Sequence, residues 1–519
     1  MRTFFAAILI AFAPLTARGQ ATVNFTIDAT RDIRPISRFI YGVNETIGGR
    51  RANLTFIRFG GNRTTAYNWV TNASNAGSDY RYNNDNYLGG ENVPGGAVIP
   101  TLRNAFENNA GALITVPING YVSADENGPV DIHDPARFST RFKREAPVKG
   151  STFSLRPDPA EPVVYQDEFV NWVKVHYPYG QTDANRPIYF ELDNEPDIWS
   201  GTHPEVHPQP PTYAEMLAKT IAYATAIKRV EPRALVYGPV NYGWGGMVSL
   251  QGAADGNGRD FEAFYLSGLA RASAAAGKRL VDVLDIHWYP EARGGGIRVA
   301  GPEVSPEVDA ARVQAPRSLW DSTYMEDSWI TSASTHGPID LVPRLQKIID
   351  ANYPGTRLSI SEYNYGGGTD ISGAIAEADV LGIYGRMGVF SANEWPNDPE
   401  EPFIAAGFAM YRNFDGHGGV FGDTSVSAAT DDAAETSVYA SIDRGHGDRM
   451  IVIAMNKTDH PIGANLRIMH GGRLGRAEVY RLTSAEARPI LVGVIASTGP
   501  WAFVLDMPPH SISTIRFLQ

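Results

Sequence analysis

Two glutamates close apolar runs in this chain, and a pair of carboxyl groups so placed can do acid–base chemistry. In Tyr189-Phe190-Glu191-Leu192-Asp193-Asn194-Glu195-Pro196-Asp197-Ile198-Trp199, the residues Tyr189, Phe190 and Leu192 read as a buried strand. Pro196 cannot extend its ladder, so Asn194 and Glu195 fall at the strand's carboxyl end. Leu358-Ser359-Ile360-Ser361-Glu362-Tyr363-Asn364-Tyr365 repeats the arrangement, with Glu362 followed by aromatic residues. Two inward carboxyls at opposed strand ends can face each other across a sugar ring. One would protonate the leaving oxygen and the other would serve the far side of the anomeric carbon, as glycoside hydrolysis requires. A cleft for such a ring needs aromatic faces. The candidates are Trp69, Trp199, Trp244, Trp288, Trp329 and Trp395, of which Trp395 closes a strand.

Arg58, in Phe56-Ile57-Arg58-Phe59-Gly60-Gly61-Asn62, alternates with Ile57 and Phe59 and should point inward. A buried guanidinium needs a carboxylate, and Glu362 is the first candidate, with Asp193 as the alternative. His287-Trp288-Tyr289 ends a further strand and offers a histidine and a tyrosine to the same region. The spacing of His203 and His207 raises a metal site, but Pro204 and Pro208 exclude the helical presentation that zinc hydrolases use.

Positioning these groups takes a large scaffold. Eight apolar runs closing on Gly, Asn or aromatic residues are buried-strand candidates, at residues 40–44, 55–62, 112–119, 188–195, 235–240, 283–290, 357–363 and 389–395. Helical patterns separate several of them. One is capped by Thr212 with Glu215 three residues on and is stopped by Pro232; another runs from about Ile339 to Asn352. The alternation predicts an α/β fold, a (β/α)₈ TIM-like barrel over residues 40–418, ahead of a doubly wound open sheet. On that count Glu195 ends the fourth strand and Glu362 the seventh. Two long insertions, Tyr121–Val163 and Glu291–Thr335, follow strands and are expected to wall a cleft. Over residues 419–519 short strands with Gly and Pro turns predict a smaller β-sandwich. The alternating segment at residues 21–39 is expected to join it as an N-terminal strand, so that both chain ends form the small domain.

The 519 residues carry a net charge of −12 and a pI near 5.4, which argues against nucleic-acid or anionic-membrane partners. The absence of cysteine excludes disulfides and thiol chemistry. Arg2, the apolar run Phe4–Ala13 and the small residues that follow make residues 1–20 a secretory signal peptide. Bacterial export to the periplasm or the extracellular space is therefore expected, with no membrane attachment after its removal. A neutral or soluble substrate fits this balance better, and a monomer is expected.

The stretch from Asp193 through Trp199 to Ser200-Gly201-Thr202-His203-Pro204, together with Ser361-Glu362-Tyr363-Asn364-Tyr365-Gly366 and Phe421-Gly422-Asp423-Thr424-Ser425-Val426, resembles glycoside hydrolase family 44 across essentially all of the mature chain. The resemblance implies a retaining endo-β-1,4-glucanase or xyloglucanase, with Glu195 as general acid/base and Glu362 as nucleophile. Asn194 would then hydrogen-bond the sugar 2-hydroxyl, Arg58 would keep Glu362 ionised, and His287 or Tyr289 would sit beside it. Trp395, Trp199, Trp288 and Trp69 are carried as substrate-binding candidates. A non-catalytic polysaccharide-binding protein, or the same mechanism on xylan or mannan, is the alternative. No organic cofactor is implied. Some members of the family bind structural calcium, and the oxygen-rich Asp125-Glu126-Asn127-Gly128 segment and Glu45 are the candidate ligands.

Overall fold

The computed structural model describes residues 21–44, 53–397, 400–472 and 474–518. The expected signal peptide and Glu45 lie outside the described residues. Eight parallel strands close into a barrel in chain order: Gly42–Asn44, Phe56–Phe59, Gly111–Val116, Ile188–Leu192, Val236–Asn241, Val283–Trp288, Arg357–Tyr363 and Ser391–Glu394. The eighth pairs back to the first, so no edge is left open. These are the eight runs read from the sequence, most of them ending before the polar residues at their carboxyl ends.

The strands read as continuous apolar runs because helices cover the outer face while side chains fill the interior. The bottom of that interior is apolar, built by Phe56, Leu113, Tyr189, Tyr237, Val283 and Phe390. Two residues further along each of four strands, the same inward parity brings Arg58, Thr115, Glu191 and Asp285, all fully buried. A polar layer therefore lies directly beneath the carboxyl ends of the strands.

The helix Tyr213–Val230 begins where Thr212 accepts from the Glu215 amide at 3.1 Å. The Glu215 carboxylate does not return to the cap; it pairs with His207 and Lys219. The helix Leu341–Asn352 follows Asp340 and buries Leu341, Val342, Leu345 and Ile349. Among the described residues no helix is long and apolar enough to cross a membrane.

The insertion at Tyr121–Val163 does not face the cleft. It folds into a three-stranded sheet, Tyr121–Ser123, Phe142–Ala146 and Val163–Tyr165, while its Gly128–Pro129 pairs with Asn83–Asp85. It thereby buttresses the loop after the second barrel strand, and that loop forms the wall. The Glu291–Thr335 insertion does reach the cleft, through Glu291, Arg298 and Trp329.

The small domain is a 10-stranded sheet system in which Ala21–Asp28 lies between Thr424–Thr430 and Ile462–Met469. Its strand His446–Asn456 explains how the domains join. Met450, Val452 and Ala454 enter the sandwich core, whereas Ile451, Ile453 and Met455 join the core shared with the barrel helices. Gly382, in the helix Ile371–Met387, permits this approach, since a β-carbon there would come 2.3 Å from the Tyr439 ring. Beside it Asp379 accepts from the Tyr439 hydroxyl at 2.6 Å and forms an ion pair with the Lys457 ammonium at 2.8 Å, about 1% exposed on both sides.

Replacing Lys457 by Met would leave the Asp379 carboxylate buried without its cation. The expected cost is about 3–5 kcal/mol in denaturant unfolding. A loss under about 1 kcal/mol would show that the pair does not hold the two domains together.

Candidate active site

The fourth strand ends in a turn built around Asp193. Its carboxylate accepts from the Thr65 hydroxyl (2.7 Å), the Ile118 amide (2.6 Å), the Asn194 amide (2.9 Å) and the Trp199 indole (3.3 Å). Asp193 and Glu195 both adopt left-handed backbone, at φ +67° and +46°, a conformation non-glycine residues hold only when their surroundings enforce it. The fan of bonds on Asp193 supplies that enforcement, and the Glu195 amide donates to Val240 O at 3.1 Å. Thr202-His203-Pro204, the most distinctive part of the sequence motif, is bracing rather than chemistry. The His203 ring bridges Glu205 (2.6 Å) and the carbonyl of Asn62 (2.8 Å), and His207 bridges Gln209 and Glu215, so neither histidine is set to bind a metal.

Arg58 stands at the centre of the buried polar layer. Its Nε donates to both oxygens of Glu191 at 2.8 Å, Nη1 to Glu362 Oε1 at 2.6 Å and to Asn44 Oδ1 at 2.9 Å, and Nη2 to Asn194 Oδ1 at 2.9 Å. The expected contact with Glu362 is thus present, but Asp193 is not a partner, and the larger share of the guanidinium goes to Glu191. Sequence reading missed Glu191. The signal was there, because a carboxylate in mid-strand with the inward parity of Tyr189 must find a cation. Thr115 also donates to Glu191. Gly60 has no side chain because a β-carbon would meet the Arg58 guanidinium at 2.3 Å, and at Gly61, φ +95°, one would meet the Trp395 ring at 2.6 Å.

Glu362, on the seventh strand, is held from its other side as well, by the Tyr289 hydroxyl on Oε2 at 3.0 Å. His287 Nδ1 lies 2.8 Å from Glu195 Oε1 and 3.4 Å from Glu362 Oε2. Burial pushes the His287 pKa down to about 3, so the ring is neutral. With two carboxyl groups facing Nδ1, the contacts assign the single ring proton to that atom. Burial, reinforced by the nearby charge of Asp197, pushes the Glu195 pKa up to about 8. Asn194 has its amide oxygen fixed by Arg58 and the Gly61 amide (3.2 Å), which leaves its NH₂ for the cleft.

Asn194, Glu195, Tyr289, Glu362 and Trp395 line one cavity of about 770 Å³, which continues past Tyr80 and Tyr87. A smaller pocket shares Tyr289 and is bordered by Tyr242 and Trp329. Of the tryptophans expected to bind substrate, only Trp395 sits in the main cavity. Trp69 is 1% exposed and stacked on Phe169, Trp199 is fully buried beneath Lys219 and bonded to Asp193, and Trp288 is 2% exposed. Trp69 and Trp199 line neither pocket and offer no face to a sugar, while Trp288, nearly covered, only borders the smaller one. Tyr80, Tyr87 and Tyr242, 56%, 74% and 42% exposed, are the rings that sequence reading missed. They lie on loops, where no periodicity marks their direction.

Of the candidate calcium ligands, Glu45 lies outside the described residues and Asp125 is engaged by a cation of the chain. Both Asp125 oxygens are taken by the Arg141 guanidinium, at 2.8 and 3.0 Å, while Asp131 and Asp134 accept from amides in their own turns.

A family model described as glycoside hydrolase family 44 matches residues 73–292. Endoglucanase A of Paenibacillus lautus is 41% identical, over 98% of this chain and 75% of that protein. The crystal structure of a family 44 endoglucanase from Clostridium thermocellum superposes with a TM-score of 0.92 at 40% identity, covering 96% of this chain and all of the other. A Paenibacillus polymyxa family 44 xyloglucanase, solved with xyloglucan, gives 0.91 at 37% identity with the same coverage.

Asp197 adds to the burial that lifts the Glu195 pKa, so Asp197→Asn should lower that pKa and move the alkaline limb of the kcat/KM profile to lower pH by roughly 0.5 unit or more. A limb that stays in place or moves upward would dissociate it from Glu195.

Proposed function

The chain belongs to glycoside hydrolase family 44, and from that premise we propose that it is a secreted, retaining endo-β-1,4-glucanase acting on cellulosic glucan or xyloglucan. The observation that supports the mechanism is the close approach of the two side chains: one oxygen of Glu195 and one of Glu362 lie within 4.8 Å of each other, and both face His287 Nδ1. An inverting pair stands about 6.5–9.5 Å apart to admit a water, whereas a retaining pair sits near 5–5.5 Å.

In the first step Glu195, protonated at neutral pH by virtue of its raised pKa, gives its proton to the glycosidic oxygen. Glu362 attacks the anomeric carbon, a glycosyl–enzyme ester forms, and the leaving chain departs with a new hydroxyl. Glu195, now a carboxylate, next takes a proton from water as that water attacks the same carbon, and the ester breaks to restore the Glu362 carboxylate. The Asn194 NH₂ is available to the 2-hydroxyl, a contact that tightens as positive charge develops on the ring. Trp395 offers a face for the central sugar.

Internal cleavage is supported by exposed rings in two adjoining pockets, Tyr80 and Tyr87 in the main cavity and Tyr242 and Trp329 in the smaller pocket that shares Tyr289. The substrate class follows from relatives described as an endoglucanase and as a xyloglucanase holding xyloglucan. Export rests on the signal-like residues 1–20.

Glu362→Ala should lower turnover by roughly 10⁴-fold or more. Added azide should then occupy the vacated place and convert an activated aryl β-glycoside into the α-glycosyl azide. Glu195→Ala should instead lose about 10²–10⁴-fold on natural substrates while sparing activated ones, and azide should yield the β-azide by attack on the glycosyl–enzyme. Product anomers assigned by NMR decide it, and the opposite pairing of azides would reverse the two roles.

A further inference from the structure

Arg386, partly buried, lies at the end of the helix Ile371–Met387 at the seam between barrel and sandwich, and its surroundings differ from those of Arg58 and Arg312. Arg58 and Arg312 each meet carboxylates, Glu191 and Glu362 for the first and Asp309 for the second. The Arg386 guanidinium instead lies against two rings, Trp320 at 4.3 Å and Tyr439 at 5.3 Å. Rings occupy the faces of a guanidinium and leave its edge, which carries the donors. Among the described residues no carboxylate pairs with that edge, and Nη2 is buried with no hydrogen-bond acceptor. A desolvated cationic donor without an acceptor is costly, and a planar N–H fork matches an oxyanion.

Arg386 also lines space large enough to hold one. A groove of about 380 Å³ and an adjoining one of about 250 Å³ meet at Trp320, Arg386 and Ala428. The larger is also lined by Ser425 and Ser427 and by a second cation, Arg34, with the exposed Asp32 at its rim. Clefts between packed domains are common places for small ligands. The helix starts just after the seventh strand and runs away from the catalytic face, so Arg386 lies roughly 20 Å along it from the reacting groups.

We propose that this seam binds a small oxyanion, a carboxylate- or phosphate-bearing molecule, whose charged group completes Arg386 and whose body lies against the Ser425–Ser427 stretch of the sandwich. Such a ligand ties a barrel helix to a sandwich strand and stabilises the docked pair of domains, without contact with the catalytic cleft.

The test is thermal unfolding of the full chain with sodium phosphate or sodium glucuronate, against sodium chloride at matched ionic strength. At least one of the two should raise Tm saturably, by about 2 °C or more. Arg386→Met should abolish that response while kcat/KM is unchanged. A glucuronate response alone marks the ligand as a carboxylate, and a phosphate response alone marks a tetrahedral anion. Equal shifts in wild type and variant, or none beyond chloride, would overturn the proposal. If Arg386→Met does not fold, Ser427→Asp supplies a carboxylate from within. It should raise Tm unaided and remove the anion response, and a full response in that variant would also count against the site.

Discussion

The site depends on one buried cation. Arg58 is fully enclosed, and the groups that meet it come from the first, fourth and seventh strands: Asn44, Glu191 with Asn194, and Glu362. A guanidinium cannot be left in a low-dielectric interior unpaired, and its rigid fork fixes the directions from which partners approach. One side chain therefore sets the relative positions of Glu362 and Asn194. It does not fully offset the burial of its neighbours Glu191 and Asp285, however. Burial pushes Glu191 up to about 7 and Asp285 to about 6, each only partly offset by Arg58. Glu195 lies beyond the direct reach of the fork, with Asp197 behind it, and is raised further. Two carboxyls with facing oxygens within 4.8 Å thus stand in unlike environments, the general condition for one to serve as acid while the other serves as nucleophile.

Around that cation the scaffold is built to resist displacement. The left-handed residues Asp193 and Glu195 place the acid at an angle that an ordinary strand end would not give, and the four bonds to Asp193 keep them there. His203 links the loop after the fourth strand to Asn62 after the second, closing a ring of bracing around the cleft wall. Rigidity of this kind is what holds reacting groups within a few tenths of an ångström of productive geometry.

What could be read from the sequence follows the same physics. The barrel strands were legible because parallel strands covered on both sides must be apolar throughout, and Glu195 and Glu362 because a carboxyl at the end of such a run has no structural reason to be there. Arg58 was legible by alternation. Trp69, Trp199 and Trp288 were misread because an aromatic ring near a strand end satisfies a core and a cleft equally well, and only packing partners such as Phe169 or Asp193 decide between them. The Tyr121–Val163 insertion was misplaced for a related reason: its length signals importance, but whether it faces the ligand or supports the loop that does is set by pairings such as Asn84 with Gly128. Lone Arg386 was invisible, since the lack of a partner is a property of the assembled seam.

The proposed reaction also explains why the core holds Glu191 in addition to Glu362. When Glu362 becomes an ester it loses its charge, and an arginine paired with Glu362 alone would then be buried as a bare cation. Glu191 is bonded through Nε at 2.8 Å and needs no movement to serve as the counter-ion, and the loss of the Glu362 charge beside the same guanidinium favours its ionised form. The guanidinium is therefore neutralised at both stages, and the ester forms without the cost of an unpaired internal charge. The same loss of charge acts on the acid. With a negative oxygen removed from within 4.8 Å, the Glu195 carboxylate becomes easier to form, so the group that gave up its proton in the first step is shifted toward the form that activates water in the second.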